Sequence, residues 1–242
     1  MTGVRGPLAE ATRLEEQAYE AFKAGDAARS RDLNDRSLAL AREAGDPEAI
    51  ARALGGLMRL GLRARDFGEV ERLASEAEEV ARSAGNPALR RLPLHVRAES
   101  ARMQGDLARA RELYDASIAL NTELGNEAMV AVELGNKSWV EIAIGRFDEA
   151  ERLLRASLEA TADDYGVAFC LLGLARVELE GGQERGAEIL GAAEAVLERA
   201  GLVWDPAEEP EYVATLDLAR ALLGADLDDR RASGAAADPR AF

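Results

Sequence analysis

The stretch QGDLARARELYDASIALNTELGN, residues 104–126, has the pattern of one amphipathic helix between two glycine turns. Apolar side chains recur at helical spacing at Leu107, Ala110, Leu113 and Ile118, and charged residues fall between them. Gly105-Asp106 precedes this helix and Gly125-Asn126 follows it. Glycine ends helices in the left-handed conformation, and Asp or Asn caps the next helix. The stretch therefore predicts a helix that is buried along one face and closed by a sharp turn at each end.

Similar turns recur along the chain in two interleaved series. One series falls at positions 25, 65, 105 and 145, and the other at positions 45, 85 and 125, so each has a period of 40 residues. Two turn series that share one period indicate two helices per repeat, and turns of two or three residues make neighbouring helices antiparallel. A shortened fifth unit follows, with its turn at Gly182.

The turns and the apolar spacing predict five helix pairs and one further helix. The first helices of the pairs are predicted at 8–24, 47–64, 87–104, 127–144 and 164–181, and the second helices at 27–44, 67–84, 107–124, 147–161 and 184–200. A last helix over 207–223 is expected to cover the final pair, because a stack of repeats must shield its terminal apolar face. We expect residues 1–7 to be flexible, 8–223 to form one solenoid domain, and 224–242 to be a disordered tail, since this end is polar and rich in small residues.

The composition of the chain disfavours several classes of function. The chain has 242 residues, of which 48% are apolar and 5% aromatic, and a formal net charge of -15. Such a charge disfavours direct contact with nucleic acid or an anionic membrane. A single cysteine, no signal-peptide pattern and no run of about 18 apolar residues predict a cytoplasmic protein.

The repeats resemble the tetratricopeptide repeat family in a lengthened form. That family places a bulky residue early in each first helix, a Gly-Asp-aromatic turn between the helices, and a small residue where the helices cross. These positions hold Leu14, Leu54, Leu94, Leu134 and Leu171; Phe67, Leu107 and Phe147; and Ala110, Ala150 and Ala187. The closing segment is similar to the C-terminal sensor regions of large bacterial regulators. The resemblance implies a right-handed, all-α solenoid.

In that family the first helix of every repeat lines a concave binding groove, so the resemblance also implies which residues would face a partner. One groove position recurs as Tyr19, Arg59, Glu99, Trp139 and Arg176, and neighbours on the same face are Arg52, Arg63, His95, Arg102, Asn136 and Phe169. Arginines there could hold carboxylates while Tyr19 and Trp139 provide apolar anchors. The alternative interpretation is a solvated face on which these arginines pair with the chain's own glutamates.

Residues able to carry catalysis are scarce. One histidine and one cysteine exclude a His or Cys metal cluster, and His95 is the only histidine available for a catalytic triad. The segment GGLMRLG, residues 55–61, lacks the Lys-Ser/Thr of a phosphate loop, and we interpret its glycines as points where helices approach closely. Cys170 lies in an apolar helix and is predicted to be an inert core thiol. We predict no enzyme activity, no metal and no cofactor.

Two functions of different classes remain. The first is a non-catalytic scaffold that binds a peptide or partner protein in its concave groove, with an acidic segment or a C-terminal carboxylate as the preferred ligand. The second is a regulatory domain that senses a small anionic ligand or a peptide and acts with a separate output domain. A deep closed cavity would favour the sensor, and an open groove with an exposed Trp139 would favour the scaffold.

Overall fold

The chain is all-α in the computed structural model, which describes residues 5–205 and 207–242. No strand occurs within these ranges. The described residues form twelve α-helices: α1 (Arg5–Lys23), α2 (Ala27–Ala44), α3 (Pro47–Arg63), α4 (Phe67–Ser83), α5 (Arg91–Met103), α6 (Leu107–Glu123), α7 (Glu127–Ala143), α8 (Phe147–Ala160), α9 (Asp164–Glu180), α10 (Arg185–Ala200), α11 (Glu209–Leu223) and α12 (Leu227–Ala235). Short 3-10 turns lie at Pro87–Arg90, Gly224–Asp226 and Pro239–Ala241.

The predicted turns occur at the expected places. The glycines at positions 25, 45, 85, 105, 125 and 145 all have positive φ, between 62° and 79°. Asp26, Asp46 and Asp66 each accept a hydrogen bond from a backbone N–H in the first turn of the following helix. These caps explain why α2, α3 and α4 begin at their predicted residues 27, 47 and 67.

The chain divides into two compact units where one domain over 8–223 was predicted. Unit 1 extends to Leu120 and unit 2 begins at Asn121, so the boundary falls inside α6. In unit 1, α1 packs on α2 and α3, and α3 packs on α4 and α5. In unit 2, α7 packs on α8 and α9, and α9 packs on α10 and α11. Each unit is therefore a solenoid-like stack in which the odd-numbered helices form one layer, and the predicted all-α, helix-pair fold class is confirmed.

Each unit has a hydrophobic core of its own. Leu54, Leu57 and Leu73 lie in the core of unit 1, and Leu171 and Leu190 lie in that of unit 2. The crossing residues Ala110, Ala150 and Ala187 are fully buried, which agrees with the small side chains predicted there.

The glycines of α3 lie where helices approach closely, as predicted. A Cβ atom at Gly56 would lie 2.1 Å from the Asn34 side-chain oxygen, and one at Gly61 would lie 2.8 Å from the Val70 side chain. Both distances are shorter than any real Cβ contact, so α3 approaches α2 and α4 this closely because these positions lack a side chain.

Both chain ends differ from expectation. Helix α1 begins at Arg5, so residues 5–7 are helical, whereas residues 1–4 lie outside the described residues. The prediction that 224–242 is disordered was wrong, since α12 packs along α10. Gly191 and Gly234 bring the two backbones together, and Leu227 is buried. The sequence suggests disorder because the apolar residues of this end are alanines except for Leu227 and Phe242. The glycine and arginine contacts that provide the packing become apparent only in the fold.

Candidate functional site

The predicted groove residues all lie on odd-numbered helices. In unit 1 Tyr19 is on α1, the arginines 52, 59 and 63 are on α3, and residues 95, 99 and 102 are on α5. In unit 2 residues 136 and 139 are on α7, and residue 176 is on α9. Because α3 contacts both α1 and α5, and α7 contacts α9, each unit carries its predicted residues on one helix layer.

Unit 1 contains a group of aromatic and cationic side chains that we call the Tyr19 cluster: Tyr19, Phe22, Lys23, Arg59 and Arg63. The Tyr19 and Phe22 rings stack with centroids 6.5 Å apart. The Lys23 ammonium lies 5.0 Å and the Arg59 guanidinium 5.7 Å from the centroid of the Tyr19 ring. Tyr19 is 48% exposed, so this ring, flanked by two cations, is open to solvent.

Arg59 is a cation of this cluster that no carboxylate of the described residues pairs with directly. Within residues 5–205 and 207–242, no carboxylate forms an ion pair with Arg59 and no hydrogen bond involves its guanidinium. The side chain is partly buried. Burial lowers the pKa of this guanidinium, and the nearby Tyr19 and Glu15 offset part of the effect. Arg59 is thus a partly desolvated positive charge next to an exposed aromatic ring.

Arg63, one turn after Arg59, is held differently. Its Nη1 donates a hydrogen bond of 2.7 Å to the Phe22 backbone oxygen, and its guanidinium carbon lies 3.6 Å from the centroid of the Phe22 ring. These contacts fix Arg63 against the C-terminal end of α1. The Arg63 guanidinium is therefore held in one position, whereas no hydrogen bond to a described residue holds that of Arg59.

Three other predicted arginines pair with glutamates of the chain itself. The Arg52 Nε lies 2.9 Å from Glu15, the Arg102 Nη2 lies 2.9 Å from Glu99, and the Arg176 Nε lies 2.8 Å from Glu180. The alternative interpretation of a salt-bridged face therefore describes these residues, while Arg59 departs from it.

Glu99, predicted to line the groove, belongs to a buried network instead. The Tyr114 hydroxyl donates a hydrogen bond to its carboxylate. Burial alone would raise the pKa of Glu99, but the charges of Arg102 and His95 and the Tyr114 hydrogen bond bring it below the ordinary value. Burial likewise opposes the charge of Arg102, and Glu99 and Tyr114 raise its pKa nevertheless. This arrangement stabilises α5 against α6 within unit 1.

Trp139 is not the exposed anchor that the sequence suggested. It is only 4% exposed, and its ring packs against Phe169 with centroids 6.0 Å apart. A Cβ atom at Gly135 would lie 3.5 Å from the Phe169 ring, an ordinary van der Waals distance, so Phe169 packs directly beside this position of α7. Phe169 covers Trp139 from a neighbouring helix, a contact that the spacing of α7 does not reveal.

Sequence analysis missed two members of the Tyr19 cluster. Phe22 and Lys23 follow Tyr19 by three and four residues, the spacing at which side chains become neighbours on one helix face. That spacing was the available signal for both residues.

Other features of the surface do not coincide with the cluster. Depressions of about 290 Å³ and about 150 Å³ lie elsewhere. The first is lined by Asp164, Val167, Val196, Arg199, Ala200, Pro239 and Arg240, and the second by Glu71, Arg97, Ser100, Ala101, Gln104, Asp106, Arg109 and Leu113. Over the described ranges no group of three or more His, Cys, Asp or Glu side chains could hold a metal ion. None of the described helices is both long and apolar enough to cross a membrane.

Cys170 is buried, and burial raises the pKa of its thiol to about 11, although hydrogen bonds to Ser157 and Thr161 act in the opposite direction. A thiol with such a pKa is mostly protonated near neutral pH, in agreement with the predicted inert core residue.

The fold defines a class of all-α proteins built from stacked antiparallel helix pairs. Among solved structures, the chain is similar to BtubC (BKLC) from P. vanneervenii, with a TM-score of 0.59 and 19% sequence identity over 98% of this chain and 89% of that one. At this identity the likeness concerns the fold alone. No family model matches the chain, and no curated protein matches it either.

Proposed function

We propose that this protein is a non-catalytic interaction scaffold, and that the Tyr19 cluster of unit 1 binds an acidic segment of a partner protein. The observation that carries the proposal is Arg59, a partly buried cation that forms no ion pair or hydrogen bond with a side chain of the described residues. The chain has 45 acidic and 30 basic side chains, so an arginine that no acid of the described residues pairs with directly stands out.

A partner carboxylate would provide what Arg59 lacks. Guanidinium and carboxylate groups form paired hydrogen bonds that are stronger than those between neutral groups. Because Arg59 is already partly desolvated, part of the penalty of removing this charge from water has been met by folding. A bound carboxylate then attracts the Arg59 charge, and only the remaining part of the desolvation penalty opposes binding.

The exposed ring of Tyr19 complements this charge. Tyrosine and arginine are enriched among the residues that dominate protein interfaces, because they combine a large apolar area with a polar group. An acidic residue followed by an apolar one would therefore place its carboxylate on Arg59 and its apolar side chain on Tyr19. Lys23 is paired with Glu20 at 2.7 Å, so its charge is largely offset within its own helix.

The tetratricopeptide resemblance supports this placement, since the first helices of the repeats line the binding face in that family. Tyr19 and Arg59 occupy equivalent positions of two successive first helices, 40 residues apart. A cytoplasmic location and a regulatory role in a bacterium belong to the same proposal.

The test is a selection of peptides from a random displayed library on the wild-type protein, followed by affinity measurements with the selected peptides. We expect Asp or Glu next to an apolar residue. We also expect Arg59→Gln to weaken binding at least about tenfold, equal to about 1.4 kcal/mol. Arg72→Gln is the matched control, because Arg72 is an exposed arginine on α4, in the other helix layer of the same unit.

Two results would contradict the proposal. One is a selected set without acidic residues, and the other is equal affinity of the wild type and Arg59→Gln for the selected peptides. Thermal melting of both variants verifies folding, since a partly exposed arginine without an ion pair contributes little to stability.

A further inference from the structure

Trp139 in unit 2 carries a buried hydrogen-bond donor without an acceptor. Its indole Nε1 is sealed from solvent, and no acceptor within the described residues bonds to it. Tryptophan has this single donor, and a buried N–H without an acceptor is unfavourable. Native proteins almost always satisfy such groups, so each exception requires an explanation.

A second sealed donor lies on the adjacent helix of the same layer. The Arg176 Nε is engaged with Glu180, but its Nη1 is buried and bonds to no acceptor in the described part of the chain. Arg176 follows Phe169 by seven residues, so the two lie on one face of α9. Phe169 is the residue that packs against Trp139, and α7 and α9 are in contact.

Asn136 completes the set on α7. It precedes Trp139 by three residues, which places both on one side of the helix. Its side chain is partly exposed, and its amide forms no hydrogen bond with another described residue. Phe169 packs on the buried Trp139 ring and is itself partly exposed, so a ligand that reaches the indole has to displace this side chain.

The chemistry of these donors identifies the ligand class. Indole and guanidinium groups only donate, and the Asn136 amide can also donate. A carboxylate only accepts and has two oxygens, so it suits such a set better than a hydroxyl or an amine. We infer that the α7–α9 layer of unit 2 binds a carboxylate group, with the Trp139 indole and the Arg176 guanidinium as donors.

This inference is independent of the Tyr19 cluster, because all of its residues belong to unit 2. A small organic acid and an acidic side chain of a peptide share the carboxylate. The experiment therefore uses succinate in one arm and a blocked peptide with one glutamate in the other. Sodium chloride at equal ionic strength controls for screening.

Nuclear magnetic resonance of the indole N–H groups provides the readout on the wild-type full chain. The chain has two tryptophans, and Trp204→Phe assigns the Trp139 resonance. We expect the carboxylate probe to move the Trp139 resonance downfield in a saturable manner and to slow its exchange with water. Trp204, which stacks on Tyr212 with centroids 5.6 Å apart, is the internal control and should remain in place.

Arg176→Gln should weaken the carboxylate response at least about tenfold, which corresponds to one lost charge-assisted contact. Arg220→Gln is the matched control, because Arg220 also pairs with an acid of its own helix in unit 2, at 2.9 Å. A response in the succinate arm alone identifies a small acid as the ligand, and a response in the peptide arm identifies a protein segment. The inference is overturned if neither probe moves the Trp139 resonance beyond the chloride control, or if Arg220→Gln weakens the response as much as Arg176→Gln.

Discussion

In the series of turns at positions 25, 65, 105 and 145, Arg65 adopts the left-handed backbone conformation that glycine adopts at the other three positions. Its φ is +55°, whereas Gly25, Gly105 and Gly145 have φ between 76° and 79°. A side chain in this region is strained because its Cβ is close to the neighbouring carbonyl oxygen. Arg65 retains the conformation while its Nη2 donates a hydrogen bond of 2.9 Å to the Met103 backbone oxygen.

The substitution Arg65→Gly should relieve this strain. Arg65→Ala is the matched control, because it removes the same side-chain contacts but retains the Cβ atom. We expect the glycine variant to exceed the alanine variant by about 1 kcal/mol in the free energy of unfolding, measured in urea. Equal stability of the two variants would show that the turn relaxes to another conformation.

The spacing of residues along one helix also explains which contacts of the site could be predicted from the sequence. Glu99 precedes Arg102 by three residues and Glu180 follows Arg176 by four, so both ion pairs follow from helix geometry. Glu15, which pairs with Arg52, and Phe169, which covers Trp139, come from other helices. Their contacts depend on how the helices pack, and the isolation of Arg59 becomes visible only after those contacts are known.

At the scale of elements, turn chemistry located the first ten helices, since glycine and the acidic caps act within a few residues. The same reasoning failed for α12, whose packing depends on distant partners. Arg230 pairs with Glu184 and Glu188, each at 2.7 Å, and Arg231 pairs with Glu194. Arg240 donates hydrogen bonds to the backbone oxygens at Leu158 and Thr161, near the end of α8. The C-terminal segment is therefore fixed by contacts that its own sequence does not display.

The close crossing of α10 and α12 makes Gly234 the critical residue of that segment. A Cβ atom there would lie 1.7 Å from the Glu188 backbone oxygen, so Gly234→Ala must push α12 away from α10. We expect a loss of about 1–3 kcal/mol and a fall in the melting temperature of about 2–4 °C for each kcal/mol. Ser233→Ala, at the exposed neighbouring position, should melt as the wild type does. A wild-type melting temperature for Gly234→Ala would mean that α12 does not contribute to stability.

At the scale of the whole molecule, a chain built from repeated helix pairs packs mainly through contacts between neighbouring helices. Within each unit, helices contact mainly their neighbours in the stack, and each unit has a separate hydrophobic core. In such repeat proteins stability is approximately a sum over repeats and the interfaces between them, so two-state unfolding is not assured. The sequence revealed the repeat through its period, but the division at Leu120 lies within an unbroken helical pattern and has no turn signal.

Two optical probes can follow the units separately. Trp139 and Trp204 both belong to unit 2, so their fluorescence reports on that unit, whereas far-UV circular dichroism follows helices throughout the chain. Leu54→Ala and Leu171→Ala each remove a fully buried side chain, from the cores of unit 1 and unit 2, and each should cost about 2–5 kcal/mol. We expect Leu54→Ala to shift the urea transition seen by circular dichroism while the fluorescence midpoint stays near that of the wild type. Leu171→Ala should lower the fluorescence midpoint. If both variants shifted both probes equally, the two cores would unfold as one cooperative unit, and the local character of the packing would not extend to unfolding.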